Sequence, residues 1–145
     1  MSKHLERLDK VIRGELPPPP IAQLIGFKLV GAKHGEAVVE FDASNKHANP
    51  MGTLHGGVLC DVADAAMGIA FASTLADDES FTTLELKINF LRPVWNEKLR
   101  AVGKVVSRGK TVGLTECDIT NSAGTLVARS TSTCMVLKGE KAAGR

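Results

Sequence analysis

Apolar positions along the chain change their rhythm, and each rhythm predicts a different element. Leu5, Leu8 and Ile12 recur at helical spacing, so the first dozen residues predict a short surface helix stopped by Gly14. Pro17 to Pro20 form a rigid extended link, and a turn of helix around Ile21 to Ile25 closes at Gly26. From Phe27 the stretch FKLVGAKHGEAVVEFDAS reads as a hairpin, with Gly31 and Gly35 around its turn and Val39 and Phe41 facing the core. After Pro50 the alternation stops. Between His55 and Leu75 apolar residues run almost unbroken, among them Val58, Leu59, Val62, Met67, Ile69 and Phe71, over a length natural for a helix and not for a strand. Such a helix has no wide polar face and is expected to be covered on nearly every side. Its Ala63, Ala65, Ala66, Gly68, Ala70 and Ala72 would let a sheet approach the axis closely.

The remainder predicts strands. TTLELKINFLRPV alternates Leu84, Leu86, Ile88 and Phe90 against Glu85, Lys87 and Asn89, and it ends near Pro93. EKLRAVGKVVSRG, KTVGLTECDITNSAG and TLVARSTSTCMVL follow as a meander through the turn-rich SRGK and NSAG. One long apolar helix with five or six strands packs most economically as a strongly curved antiparallel sheet wrapped around the helix, an α+β arrangement. Residues 1–26 form a helical and proline-rich lead, 27–138 the domain, and 139–145 a small, charged tail expected to fray. A lone protomer of this kind would leave apolar surface and a sheet edge exposed, so pairing through an edge is expected.

Composition narrows the function. With 145 residues, 43% hydrophobic and 23% charged, the chain suits a single globular domain. A formal net charge of +2 is too mild for nucleic acid, and no basic run is interleaved with aromatics. The polar N-terminus lacks an apolar signal region, and Val62 to Ala76 is too short and too rich in Ala and Gly to span a membrane. Cys60, Cys117 and Cys134 show no metal-ligand spacing, nor do the four histidines; no metal site, a reducing compartment and a cytoplasmic, soluble protein are expected.

Candidate chemistry lies in NPMGTLHGGVLCDVADAAMGIAFAS. Asp64 falls in mid-helix, where a carboxylate is costly unless paired, hydrogen-bonded or set in a cleft. Asp61 precedes it on roughly the same face. At the helix entrance, Gly56 and Gly57 present backbone N–H groups suited to an anion or a polarised carbonyl oxygen. Asn49 and His55 would hold that loop or contact a ligand; His55 on its own reads more naturally as a cap bonded to backbone. A carboxylate and amide donors converging from adjacent chains or loops would make a hydrolytic site. No phosphate-cradling loop and no serine elbow is present.

The run Asn–x–x–Gly–x–x–His–Gly–Gly with an Asp seven residues beyond the second Gly, followed by TTLELKINFLRPV, resembles the hot-dog-fold acyl-CoA thioesterases of the phenylacetate-pathway (PaaI-like) type. The likeness extends from about Phe27 to Leu137; Cys60 and Asp61 stand where the family usually has apolar or small residues, and the proline-rich lead lies outside it. This resemblance implies two protomers joined edge to edge, often a tetramer of two such dimers, with active sites at the protomer interface. Asp64 then matches the catalytic carboxylate, acting as general base or nucleophile from the neighbouring protomer. Gly56 or Gly57 matches the amide that polarises the thioester carbonyl. Asn49 and His55 match polar residues of the loop before the helix, Thr83 a hydroxyl that positions water or carboxylate, and Pro93 the end of its strand. The implied substrate is an acyl-CoA or aryl-CoA thioester, with CoA a part of the substrate and no separate cofactor. Arg92, Arg108, Lys110 and Arg129 are the candidate cations for its phosphates. Two alternatives use the same fold: a hydratase or dehydratase of acyl thioesters, and a non-catalytic acyl-CoA binding protein that would need no Asp64.

Overall fold

The computed structural model describes the whole chain, Met1–Arg145. Helix α1 (Lys3–Ile12) begins where the Ser2 hydroxyl accepts the Leu5 N–H, and it ends before Gly14 takes a left-handed φ of 77°. Helix α2 (Pro20–Ile25) starts on a proline at its first position and stops at Gly26. Strands β1 (Phe27–Lys33) and β2 (Glu36–Asp42) make the hairpin. Gly35 carries its turn, with φ 77°; Gly31 lies inside β1, at a bulge after Leu29, and not in the turn.

Helix α3 (Gly56–Ala72) is the long apolar helix; β3 (Glu79–Phe90), β4 (Lys98–Arg108), β5 (Val112–Thr120) and β6 (Leu126–Lys138) follow. The tail opens with a 3-10 turn, Gly139–Ala142, packed against β3 and β6. All six strands form one antiparallel sheet in the order β1-β2-β4-β5-β6-β3. The predicted meander is β4-β5-β6, whereas β3 crosses to the far edge and pairs only with β6.

The sheet curves around α3, which rests mainly on β4, β2 and β5. Between them lies a cluster of 21 buried residues that includes Val39, Phe41, Val62, Met67, Leu99 and Ile119. Each large side chain in it contributes about 1.5–3 kcal/mol relative to leaving it exposed. The close approach expected from the small helix residues has its counterpart in the strand: a Cβ on Gly103 of β4 would collide with the backbone of α3 at Ala66 and Met67. Leu8 and Ile12 bring α1 onto β1 at the rim of this core, and the Lys3 N–H donates to Asp77 Oδ1 at 2.9 Å. The N-terminal lead is therefore packed onto the domain.

Two expectations need correction. Helix α3 is not covered all round: Gly57 and Asp64 are exposed, and Cys60, Asp61 and Ala65 are half-buried, because α3 sits over the β2–β5 part of the sheet and the β3 limb reaches past it. Nor does β3 alternate throughout. Its pairing shifts between Thr83 and Glu85, so Leu84 is an extra residue and stays 53% exposed. Thr83 pairs with the buried Cys134, and Leu86 and Ile88 with the buried Ser132 and Ser130, so the helix-side row changes parity at the bulge.

Candidate active site

The loop into α3 is built on itself. Asn49 Oδ1 accepts the N–H groups of Met51 and Thr53 at 3.0 and 3.1 Å, and its Nδ2 donates to Thr53 Oγ1 at 2.7 Å. Asn49 thus holds the loop with its own side chain. His47, which the sequence did not single out, anchors the same loop. Its Nδ1 accepts from the Ser44 N–H, which leaves Nε2 to donate to the Ile25 carbonyl at 2.8 Å, and its own carbonyl accepts the His55 N–H. The signal for it was the Ser44–x–x–His47 spacing of a capping box.

His55 is the N-cap of α3: its Nδ1 accepts the Gly57 N–H at 2.9 Å. That choice fixes the proton of the neutral ring on Nε2. The two glycines are consequently inequivalent. Gly57 is satisfied by the cap, while the Gly56 N–H has no acceptor in the protein. Gly56 lines a cleft of about 340 Å³ with Asn49, Leu59, Phe90, Arg92 and others, and the Phe90 ring lies where a Cβ on Gly56 would fall. A free helix-start amide in a half-apolar cleft is a donor for a developing oxyanion.

Asp64 stands two turns further along. Its Oδ1 accepts from Thr83 Oγ1 at 3.2 Å, a contact that exists because the bulge at Leu84 presents Thr83 on the helix side. Although the residue is open to solvent on one side, partial desolvation against the sheet pushes its carboxyl above the usual range; the Thr83 hydrogen bond opposes this and the Asp61 charge adds to it. A carboxylate with a raised pKa is the stronger proton acceptor. Gly56 and Asp64 are eight positions apart on one helix, about 12 Å along its axis. One chain cannot place both groups on the same reacting carbonyl.

Of the four candidate cations, only Arg92 lines the cleft. Lys110 is exposed on the β4–β5 turn, without an ion pair. Arg108 is not available for a phosphate: it pairs with Glu79 at 2.8 Å, donates to Thr74 Oγ1 at 3.1 Å and covers the Phe71 ring. Arg129 is not available either. It lies on the face of β6 away from α3, held by Glu116 at 2.9 Å and Asp118 at 2.5 Å. No helix is long and apolar enough to cross a membrane.

A long helix held in the curve of a six-stranded antiparallel sheet, with a carboxylate in mid-helix and a free amide at its start, defines a hot-dog fold. The family model of the thioesterase superfamily matches residues 51–128, and the chain belongs to that superfamily as a thioester hydrolase. It is 31% identical to the 1,4-dihydroxy-2-naphthoyl-CoA hydrolase of Listeria monocytogenes over 83% of this chain and 98% of that one. It is 27% identical to human acyl-coenzyme A thioesterase 13, over 92% and 96% of the two chains. Among solved structures, a phenylacetic acid degradation-related protein from Ralstonia eutropha JMP134 aligns with TM-score 0.80 and 31% identity, over 88% and 98%.

Proposed function

We propose that the protein hydrolyses an acyl-CoA or aryl-CoA thioester in sites shared by two protomers. The single observation that carries this reading is the pair of reactive groups on α3: a free Gly56 amide and a Thr83-bound Asp64, too far apart to meet within one chain. A two-fold axis that pairs the β3 edges of two copies would bring the amide of one to the carboxylate of the other. The names of the relatives, hydrolases of naphthoyl-CoA and acyl-CoA, support the substrate class.

In this scheme Gly56 receives the thioester carbonyl oxygen. Oδ1 of Asp64 is held by Thr83, and Oδ2 takes a proton from water as the water oxygen attacks the carbonyl carbon. The negative charge passes to the carbonyl oxygen, where the Gly56 N–H stabilises it. Collapse of the intermediate breaks the carbon–sulfur bond and releases CoA as thiolate, a leaving group that needs no strong acid. The free acid remains, and Asp64 returns its proton to solvent or to the thiolate. Arg92 at the cleft offers a cation to the CoA phosphates.

The test is a panel of aliphatic and aromatic CoA thioesters assayed for free thiol, with enoyl-CoA hydration followed in parallel. Thiol release by the wild type and its loss in Asp64→Asn supports the reading. Hydration without thiol release, or binding with neither, overturns it.

A further inference from the structure

Beneath Asp64 runs a file of buried polar side chains for which packing alone gives no reason. Thr115, Ser132 and Cys134 are each 0% exposed, on the face of β5 and β6 that looks toward α3. Ala or Val would fill such positions without the cost of burying a hydroxyl. Thr115 Oγ1 lies 2.5 Å from Ser132 Oγ; Ser132 Oγ lies 4.0 Å from Cys134 Sγ; Cys134 Sγ lies 3.9 Å from Thr83 Oγ1. Thr83 Oγ1 then reaches Asp64 Oδ1 at 3.2 Å.

The direction of the protons follows from the last member. An ionised carboxylate only accepts, so Thr83 must donate to Asp64. The Thr83 oxygen is then an acceptor toward Cys134, whose S–H fills that role, and the sulfur in turn accepts from Ser132; the Thr115 hydroxyl is shared between the Ser132 carbonyl at 3.3 Å and the Ser132 hydroxyl at 2.5 Å. Burial pushes the Cys134 thiol up, so it stays protonated and able to donate. From Ser132 onward each hydrogen in the file is directed toward Asp64, and each donor so aligned polarises the next.

We propose that Cys134 and Ser132 are positioning residues that lock the Thr83 hydroxyl as a donor to the Asp64 carboxylate. This rests on Asp64 being the reactive acid. Without the file, Thr83 is free to turn its proton elsewhere, and the carboxylate loses a bond that favours its charged form. The other titratable groups around Asp64 are Asp61 and Cys60 on its own helix, and they remain in place in every variant below.

The experiment is a carbon-13 NMR titration of the Asp64 carboxyl in the whole protein, alongside the pH profile of kcat/KM. Thr83→Val should raise the Asp64 midpoint by about one pH unit, the order expected for losing one hydrogen bond to a carboxylate. Cys134→Ala should give a smaller rise in the same direction and move the acid limb of the profile with it. Cys134→Ser, which restores a donor, should fall between Cys134→Ala and the wild type. Ser132→Ala breaks the file one link further back and keeps the question answerable if Cys134→Ala does not fold. Titrations of folded Cys134→Ala and Ser132→Ala that match the wild type, while Thr83→Val shifts, overturn the proposal, and any lost activity is then packing. Retained turnover in Asp64→Asn overturns instead the reading of the active site, a separate result.

Discussion

Asp64 on α3 and Glu79 at the start of β3 are perturbed by the protein in opposite senses. The Asp64 carboxyl is raised, chiefly by desolvation, so the folded chain favours its protonated form. Its stabilising contribution is therefore present at low pH and lost as pH rises through the folded-state value. Asp64→Asn should melt at or above the wild type near neutrality, with the gap closing in acid, while turnover falls by roughly 10²–10⁴, the range for a lost general base. Asp61→Asn should do much less, since Thr83 bonds to Asp64. Glu79 is lowered, first by the Ala76 N–H it accepts, with Lys138 and Arg108 adding to this. Its contribution is full above the unfolded glutamate value and is lost as pH falls through the folded one. Glu79→Gln should lower Tm by several degrees near neutrality, and calorimetry should show the deficit vanish in acid. Asp64 was legible in the sequence because a lone carboxylate in an apolar helix has few explanations. The employment of Arg108 was not, because its partner Glu79 lies on another strand, 29 residues away.

At the scale of the element, β3 decides which of two adjacent threonines meets the site. Strict alternation with Leu86 would place Thr82 on the helix side; the extra Leu84 places Thr83 there. Thr83→Val should therefore cut kcat several-fold and move the acid limb of the pH profile upward, and Thr82→Val should leave both near wild type. The reverse outcome would mean that the strand register is wrong. Periodicity gave the strand, though it runs Glu79–Phe90, about three residues earlier at each end than the apolar pattern from Thr82 to Pro93, and a bulge leaves no mark in apolar spacing when the extra residue is itself a leucine. The long helix was likewise legible, whereas its open stripe was not. The stripe depends on how far the β3 limb reaches beyond α3, which is a property of the sheet and not of the helix sequence.

On the scale of the whole molecule, one edge of the sheet is unfinished. Strand β1 has α1 packed against it, while β3 offers twelve residues of edge beside the exposed Leu84 and Phe90. The shared-site account gives that edge a partner, and subunit exchange tests it directly. Asp64→Asn removes the carboxylate. Gly56→Pro removes the amide at the first helical position, where proline is tolerated, and His55 already has the extended ψ of 132° that proline requires of its predecessor. Gly56→Ala is its steric control, because it meets the same Phe90 ring and keeps the N–H. Each homo-oligomer of Asp64→Asn and of Gly56→Pro should be nearly inactive. Unfolded together and refolded as an equal mixture, half of the dimers are mixed, and each mixed dimer holds one site with both groups intact. The measurement is the thioesterase activity of that mixture: about a quarter of the wild-type rate is predicted on random pairing, and a refolded mixture as inactive as its parents, with mixed dimers shown to be present, would contradict the shared site.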